Sequence, residues 1–309
     1  MIHWAQWHEG ANLSGAMAFL TSWPIWVFFG LLTGSFVNVV AYRWPKMAYR
    51  SWWQAVADNL QERESWTQHV GGDLPVGTAQ AEAMQQALSG LRPLTLSVPR
   101  SSCPSCGHMI HWWANVPVVS WLFLRARCHW CDAPISWRYP VVEIAVGLLF
   151  GALSWRYVGD WKAILLLSGV AAALVAAALI DADEKLIPDE ISFGVLWVAL
   201  FGAAFGLVPG MRPGGAIVGA AGAYLCLAGS AWLFQKLRGK QGLGGGDPKL
   251  MAAGGALLGP QAIPLLVAIS AGSFVVAMLL SRRRGEQPFG PYIVLAVIGG
   301  LLAPGVIRL

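Results

Sequence analysis

Ala163-Ile-Leu-Leu-Leu-Ser-Gly-Val-Ala-Ala-Ala-Leu-Val-Ala-Ala-Ala-Leu-Ile180 carries no charge and then, with no intervening loop, meets Asp181-Ala-Asp183-Glu184. A run of this kind reads as a helix that crosses a bilayer, because about 20 residues at about 1.5 Å each cover the hydrocarbon core. Working outward, the same uncharged pattern recurs at 10–42, 191–211, 213–235, 250–281 and 287–307. A shorter run, 144–155, becomes a plausible span if Val141 and Tyr157 flank it. The 250–281 run is too long for one crossing, and Gly259-Pro260 interrupts it as a turn would. It reads as a short helix followed by a full one. The expected fold is therefore an all-α polytopic membrane protein with about eight transmembrane segments, one of them short.

Composition agrees. The 309 residues are 56% apolar and 12% charged, where a soluble domain averages about 45–50% and about 25%. That excludes a cytosolic or secreted enzyme, a disordered chain and a disulfide-dense miniprotein. The 17 Trp suit a chain with many membrane–water boundaries. The net charge of +5 is accounted for by basic loops facing the cytoplasm, so no nucleic-acid partner is expected. With the N-terminus outside and eight segments, Arg156, Lys162, Arg212 and Arg308 face out, which leaves 17 of the 21 Lys and Arg inside. A single crossing by 250–281 would put Arg282, Arg283 and Arg284 outside, against the rule. The first apolar run lacks a basic leader and a small-residue cleavage site, so it is not read as a removable signal.

The one large polar excursion, about 44–138, falls on the cytoplasmic side of this topology. Four units follow: 1–45, the N-terminal segment and first span; 46–98, a cytoplasmic insert rich in Gln, Glu and Ala and partly helical; 99–138, a four-cysteine domain; and 139–309, the remaining membrane core. In the third unit, Cys103-Pro-Ser-Cys106 and Cys128-His-Trp-Cys131 are two CxxC knuckles at a spacing that suits one tetrahedral zinc. Two disulfides, or redox pairs, are the other readings, and a reducing cytoplasm disfavours the first. A shell closed by four thiolates leaves no position for water, so the metal's role is structural. His108 and His129 are spare candidates for a ligand position. Cys226, inside a span, reads as a small core residue.

Charges set into apolar segments are expensive and point to function. Asp181 ends one run, and Asp247, in Gly242-Leu-Gly-Gly-Gly246-Asp247-Pro-Lys249, opens another. Both fall at cytoplasmic helix ends in this topology, with an even number of crossings between them, so they can meet. Two carboxylates in contact share a proton and supply one base and one acid, the chemistry of an aspartic protease. Glycines before Asp247 would let a substrate strand approach the backbone. The plainer alternative makes these acids solvated helix caps, and Asp183, Glu184 and Asp189 need be no more than that. A P-loop, a nucleophile elbow and a zinc-protease helix are all missing. Two rivals from other classes use the same residues: a proton- or cation-coupled transporter and a non-catalytic secretion scaffold.

Taken in order, several blocks resemble one family. They are Gly34-Ser-Phe-Val-Asn38-Val-Val-Ala-Tyr42-Arg43-Trp-Pro45, Cys103-Pro-Ser-Cys106-Gly-His108, Asn115-Val-Pro117, Arg127-Cys128, Arg138-Tyr-Pro140-Val-Val-Glu143, Asp181-Ala-Asp183, Ile187-Pro-Asp189 and Gly244-Gly-Gly246-Asp247-Pro-Lys249. They are similar to the type IV prepilin peptidases, leader peptidase/N-methyltransferases of the GxGD aspartyl protease group. The resemblance covers nearly the whole chain except 1–22 and the insert. It implies a bacterial inner-membrane enzyme that cleaves the short basic leader of type IV prepilins and pilin-like precursors on the cytoplasmic side. It implies next that the new N-terminus is methylated from S-adenosylmethionine. On this carry-over Asp181 and Asp247 are the catalytic pair, with Gly244, Gly246 and Lys249 as the supporting loop. Asp183, about 200° further round the helix than Asp181, should point elsewhere. No Rossmann fingerprint marks a donor pocket; Gly34, Asn38 and Glu143 are candidates by resemblance alone.

Overall fold

The structure, a computed structural model, describes residues 15, 20–69, 71–72, 77–240, 242–281 and 287–303. The first part of the 10–42 run, Arg282–Arg284, Arg308 and the end of the 287–307 run lie outside these residues. Among the described residues the regular structure is helical, joined by turns and loops, with two isolated bridges, Ser102 with Met109 and Arg127 with Pro134. It forms two compact units, Met1–Asn38 with Trp112–Leu309, and Val39–His111.

Among the described residues, four helices are long and apolar enough to cross a membrane: Trp23–Gln61 (α1), Trp161–Glu184, Pro213–Arg238 and Pro260–Ser281. The helices Arg138–Arg156 (α5), Asp189–Ala204 (α7), Gly246–Leu258 (α9) and Gly290–Leu302 (α11) do not meet that standard; α9 has 13 residues, about 20 Å of helix. Between them run α6 (Trp161–Glu184), α8 (Pro213–Arg238) and α10 (Ile263–Ser281), with α4 (Val119–Phe123) preceding α5. Large apolar side chains such as Leu225, Leu237, Leu279 and Phe205 point outward. A surface so apolar is suited to lipid and not to water.

Lipid tails are as apolar as leucine, so burial gives little drive between helices and close packing must supply it. Glycine makes that possible here. A Cβ on Gly219 of α8 would sit 2.1 Å from the carbonyl oxygen of Gly255 of α9, so the two backbones touch. Gly30 and Gly34 of α1 approach Gly147 and Glu143 of α5 in the same way, with clearances of 2.7 Å to backbone atoms. The short α9 is buried on all sides, with Leu250, Met251 and Leu257 fully enclosed, and packs against α7, α8 and α11. It ends at Gly259, whose φ of +82° only glycine adopts readily, before a 3-10 turn leads into α10. α8 buries only the stripe Ala216, Gly219, Ala223 and Leu227. Cys226 falls at the edge of that stripe, about 20° round from Gly219 but a further two turns along, and is exposed, which corrects its assignment to the core.

In the second unit, α1 continues through Pro45 as far as Gln61, followed by α2 (Arg63–His69) and α3 (Thr78–Ser89). The stretch that reads as an insert therefore begins as an extension of the first apolar helix. Arg43 is buried there. Its guanidinium donates to the carbonyl oxygens of Thr95 (2.9 Å), Leu96 (3.3 Å) and Pro99 (2.7 Å), which fastens the segment leading to Cys103 onto the helix.

Candidate active site

α6 carries its acids to the rim because of how it stops. Asp160 caps the start, its side chain accepting from the Ala163 N–H at 3.0 Å. Lys185 takes a left-handed conformation (φ 55°), and its N–H closes on the Asp181 carbonyl at 2.9 Å. Ile187-Pro188 then turns the chain into α7, whose first turn holds Asp189 and Glu190, where acids favour the helix dipole. Asp181 is thus in the last turn of α6 and is buried. Asp247, at the first turn of α9, is buried as well.

Each carboxylate is held by one backbone N–H. Gly290, which opens α11, donates to Asp181 Oδ2 at 2.8 Å; Gly244 donates to Asp247 Oδ2 at 3.1 Å. Ile187 lies between the two. A Cβ on Gly246 would be 2.8 Å from Ile187 Cβ, and one on Gly290 would be 3.1 Å from Ile187 Cδ1. Ile187 thus brings the neighbour of Asp247 and the N–H that holds Asp181 against one side chain, although the two acids are 66 positions apart in sequence. Gly290 is a site residue that the sequence reading missed. The signal was present in Gly290-Pro291, a glycine at the start of a helix with proline in the first turn.

The other acids have separate partners. Asp183 forms a bidentate pair with Arg138 (2.9 and 2.6 Å), which ties the start of α5 to the end of α6. It points away from Asp181, as the helix geometry requires. Asp189 accepts from Lys249 Nζ with both oxygens at 2.7 Å, linking the first turns of α7 and α9 on either side of Ile187. Both pairs are well exposed, so each contributes at most about 1 kcal/mol. Their value is positional. Gly246 and Lys249 of the supporting loop meet Ile187 and Asp189, while Gly244 meets Asp247 itself.

The two knuckles share one backbone design. In the first, the Cys103 N–H donates to the His108 carbonyl (2.9 Å) and the Gly107 N–H to the Cys103 carbonyl (2.9 Å). In the second, the Cys128 N–H donates to the Ala133 carbonyl (2.9 Å) and the Asp132 N–H to the Cys128 carbonyl (3.1 Å). Gly107 (φ 73°) and Asp132 (φ 55°) fill equivalent left-handed positions, and Asp tolerates that region better than most residues. No disulfide joins these cysteines, and the four Sγ atoms lie within 4.8 Å of one another. A tetrahedral zinc with bonds of about 2.3 Å needs sulfurs about 3.8 Å apart, so this donor set fits a metal.

Residues 168–281 match the model of the type IV leader peptidase family, and residues 28–157 match that of the bacterial peptidase A24 N-terminal domain. Among curated relatives, the prepilin leader peptidase/N-methyltransferase of Stutzerimonas stutzeri is 38% identical over 277 residues, covering 86% of both chains. The chain belongs to the type IV leader peptidase family. Proteins of the same name from Pseudomonas aeruginosa (38% over 284 residues, 87% of this chain and 86% of the relative) and Aeromonas hydrophila (39% over 277 residues, 87% and 86%) are similar to the same degree. No solved structure matches. Both acids fall within the segment matched by the leader peptidase family, and all four cysteines lie in the segment matched by the N-terminal domain.

Proposed function

We propose that this family member is a membrane aspartyl endopeptidase that removes the short basic leader from type IV prepilins and pilin-like precursors, then N-methylates the new N-terminus. The observation that carries the cleavage reading is the pair of buried carboxylates, Asp181 and Asp247, each fixed by a single backbone N–H from a glycine, with Ile187 packed beside both. Burial strengthens their interaction. The ionised member takes a proton from a water that attacks the scissile carbonyl. The protonated member donates to the developing oxyanion and then protonates the departing amine. Gly244 leaves the Asp247 carboxylate uncrowded, and Gly246 lets Ile187 pack beside it. A transporter would need neither the family's peptidase fold nor a thiolate domain.

Eight crossings in the bacterial inner membrane, with the N-terminus periplasmic, place the acid pair and the four cysteines on the cytoplasmic side, where a basic leader would lie. The precursor's apolar helix then rests against the spans. The test is mass spectrometry of a co-expressed pilin. Loss of the leader mass followed by a gain of one CH₂ is expected; an unprocessed pilin would overturn the reading.

Zinc on Cys103, Cys106, Cys128 and Cys131 would serve as a structural tie. Changing Cys128 and Cys131 to Ser should release one metal per chain, read by elemental analysis, and lower the thermal midpoint in detergent. Wild-type protein without stoichiometric zinc would contradict this. S-adenosylmethionine would supply the methyl group as a sulfonium.

A further inference from the structure

Three carboxylates are buried among the described residues: Asp181, Asp247 and Glu143. Cleavage uses the first two. Glu143, in the second turn of α5, takes no part in it, and no cationic side chain among the described residues pairs with it. Burying a charge without a counter-charge is costly, and such groups are kept where they act. Glu143 Oε2 accepts from the Val118 N–H at 2.7 Å, and the Ser35 hydroxyl also bonds to this carboxylate. Val118 holds a positive φ of 60°, which is unusual for a β-branched residue, to present that N–H. Asn38, also buried, donates to the carbonyls of Gly34 (3.3 Å) and Tyr139 (3.2 Å), bracing α1 against the start of α5. Every one of these bonds needs only an acceptor. A neutral Gln at 143 would still accept the Val118 N–H through its amide oxygen, so that bond does not itself call for a carboxylate.

Depth adds to the case. α5 and α6 are antiparallel neighbours pinned in register by Arg138 and Asp183. At about 1.5 Å per residue, Glu143 lies about 7.5 Å along α5 from Arg138 and Asp181 about 3 Å along α6 from Asp183. The two acids are therefore within about one helical turn of the same level.

We infer that the Glu143 carboxylate, framed by Ser35, Asn38 and the Val118 N–H, is the cation-binding group of the methyl-transfer site. The inference rests on the function proposed above. The cation is either the sulfonium of the methyl donor or the ammonium of the freshly cut N-terminus, and both are organic cations that a buried carboxylate selects.

The experiment uses full-length protein in detergent and three versions, wild type, Glu143→Gln and Glu143→Asp. Leader cleavage and methylation are followed by mass spectrometry, and donor affinity by calorimetry with S-adenosylmethionine and with S-adenosylhomocysteine, its neutral thioether. Methylation by Glu143→Gln should fall about 10- to 100-fold, the weight of one charge-assisted contact, while cleavage stays within about twofold. Glu143→Asp, which keeps the charge at a shorter reach, should retain more methylation than Gln. A packing role reverses that order, because Gln keeps the length, and would overturn the inference. Weaker binding of S-adenosylmethionine alone in the Gln variant identifies the sulfonium as the partner. Unchanged donor binding with a raised KM for leaderless pilin identifies the ammonium. Wild-type methylation by Glu143→Gln, or joint loss of cleavage and of both ligands, would sink the inference. Wild-type protein that cleaves but neither binds donor nor methylates would remove the methyl-transfer half of the proposed function itself.

Discussion

Asp181→Asn and Asp247→Asn should each lower prepilin cleavage by about 10³-fold or more, whereas folding and metal content stay at wild-type levels. Asparagine matches the shape of aspartate and keeps an oxygen for the Gly290 or Gly244 N–H, so the backbone contact survives. What it loses is the exchangeable proton and the charge. One positioned acid or base is worth about 10²–10⁴ in rate, and here one proton serves both roles in turn. Removing either acid leaves the other with no partner to complete the cycle. The double variant should therefore be no slower than the worse single, as for residues that act as one unit. Turnover of purified precursor in detergent, with thermal melting as the folding control, checks this. Residual activity above a tenth of wild type in both single variants would mean that neither acid is chemical.

How far the sequence reveals this site depends on distance along the chain. Asp181 was legible because a charge interrupts a long apolar run, and the cysteines because CxxC spacing is local. The break at Gly259 was equally local. Contacts across the fold were not legible. Lys249 with Asp189, and Arg138 with Asp183, join residues 60 and 45 positions apart, and ordinary polar residues at helix ends give no sign of which partner they will meet. Gly290, 109 positions from Asp181, was hidden for the same reason. Helix faces were equally obscure. Where both the lipid face and the core face are apolar, the 3.6-residue period carries no contrast, so Cys226 was assigned inward when it points outward. At the other end of the problem, α1 loses its apolar character before it loses its helix. The composition change near Pro45 looks like a boundary, yet the backbone runs on to Gln61.

Gly290→Ala tests whether the N–H that holds Asp181 sets the rate. A methyl group there would lie 2.8 Å from Asp181 Oδ2 and 3.2 Å from its Cγ, closer than a carboxylate tolerates, and 3.1 Å from Ile187 Cδ1. The backbone of α11 is already helical at this position, so the variant can fold. Something must move, and two candidates exist. The Ile187 side chain can turn away at small cost because its Cδ1 is a flexible end. Asp181 cannot shift without stretching its bond to the same glycine. The carboxylate should therefore be displaced by several tenths of an ångström, and misplacing a reacting group by about 1 Å costs on the order of 10² in rate. Cleavage by Gly290→Ala is expected to fall about 30- to 100-fold with metal content and melting temperature little changed. Gly299→Ala on the same helix, where no atom lies within 4 Å, should behave as wild type. Adding Ile187→Ala separates the two contacts. If the apolar clash were dominant, the shorter side chain would restore activity; because the carboxylate contact is the tighter one, the double variant should remain as slow as Gly290→Ala alone.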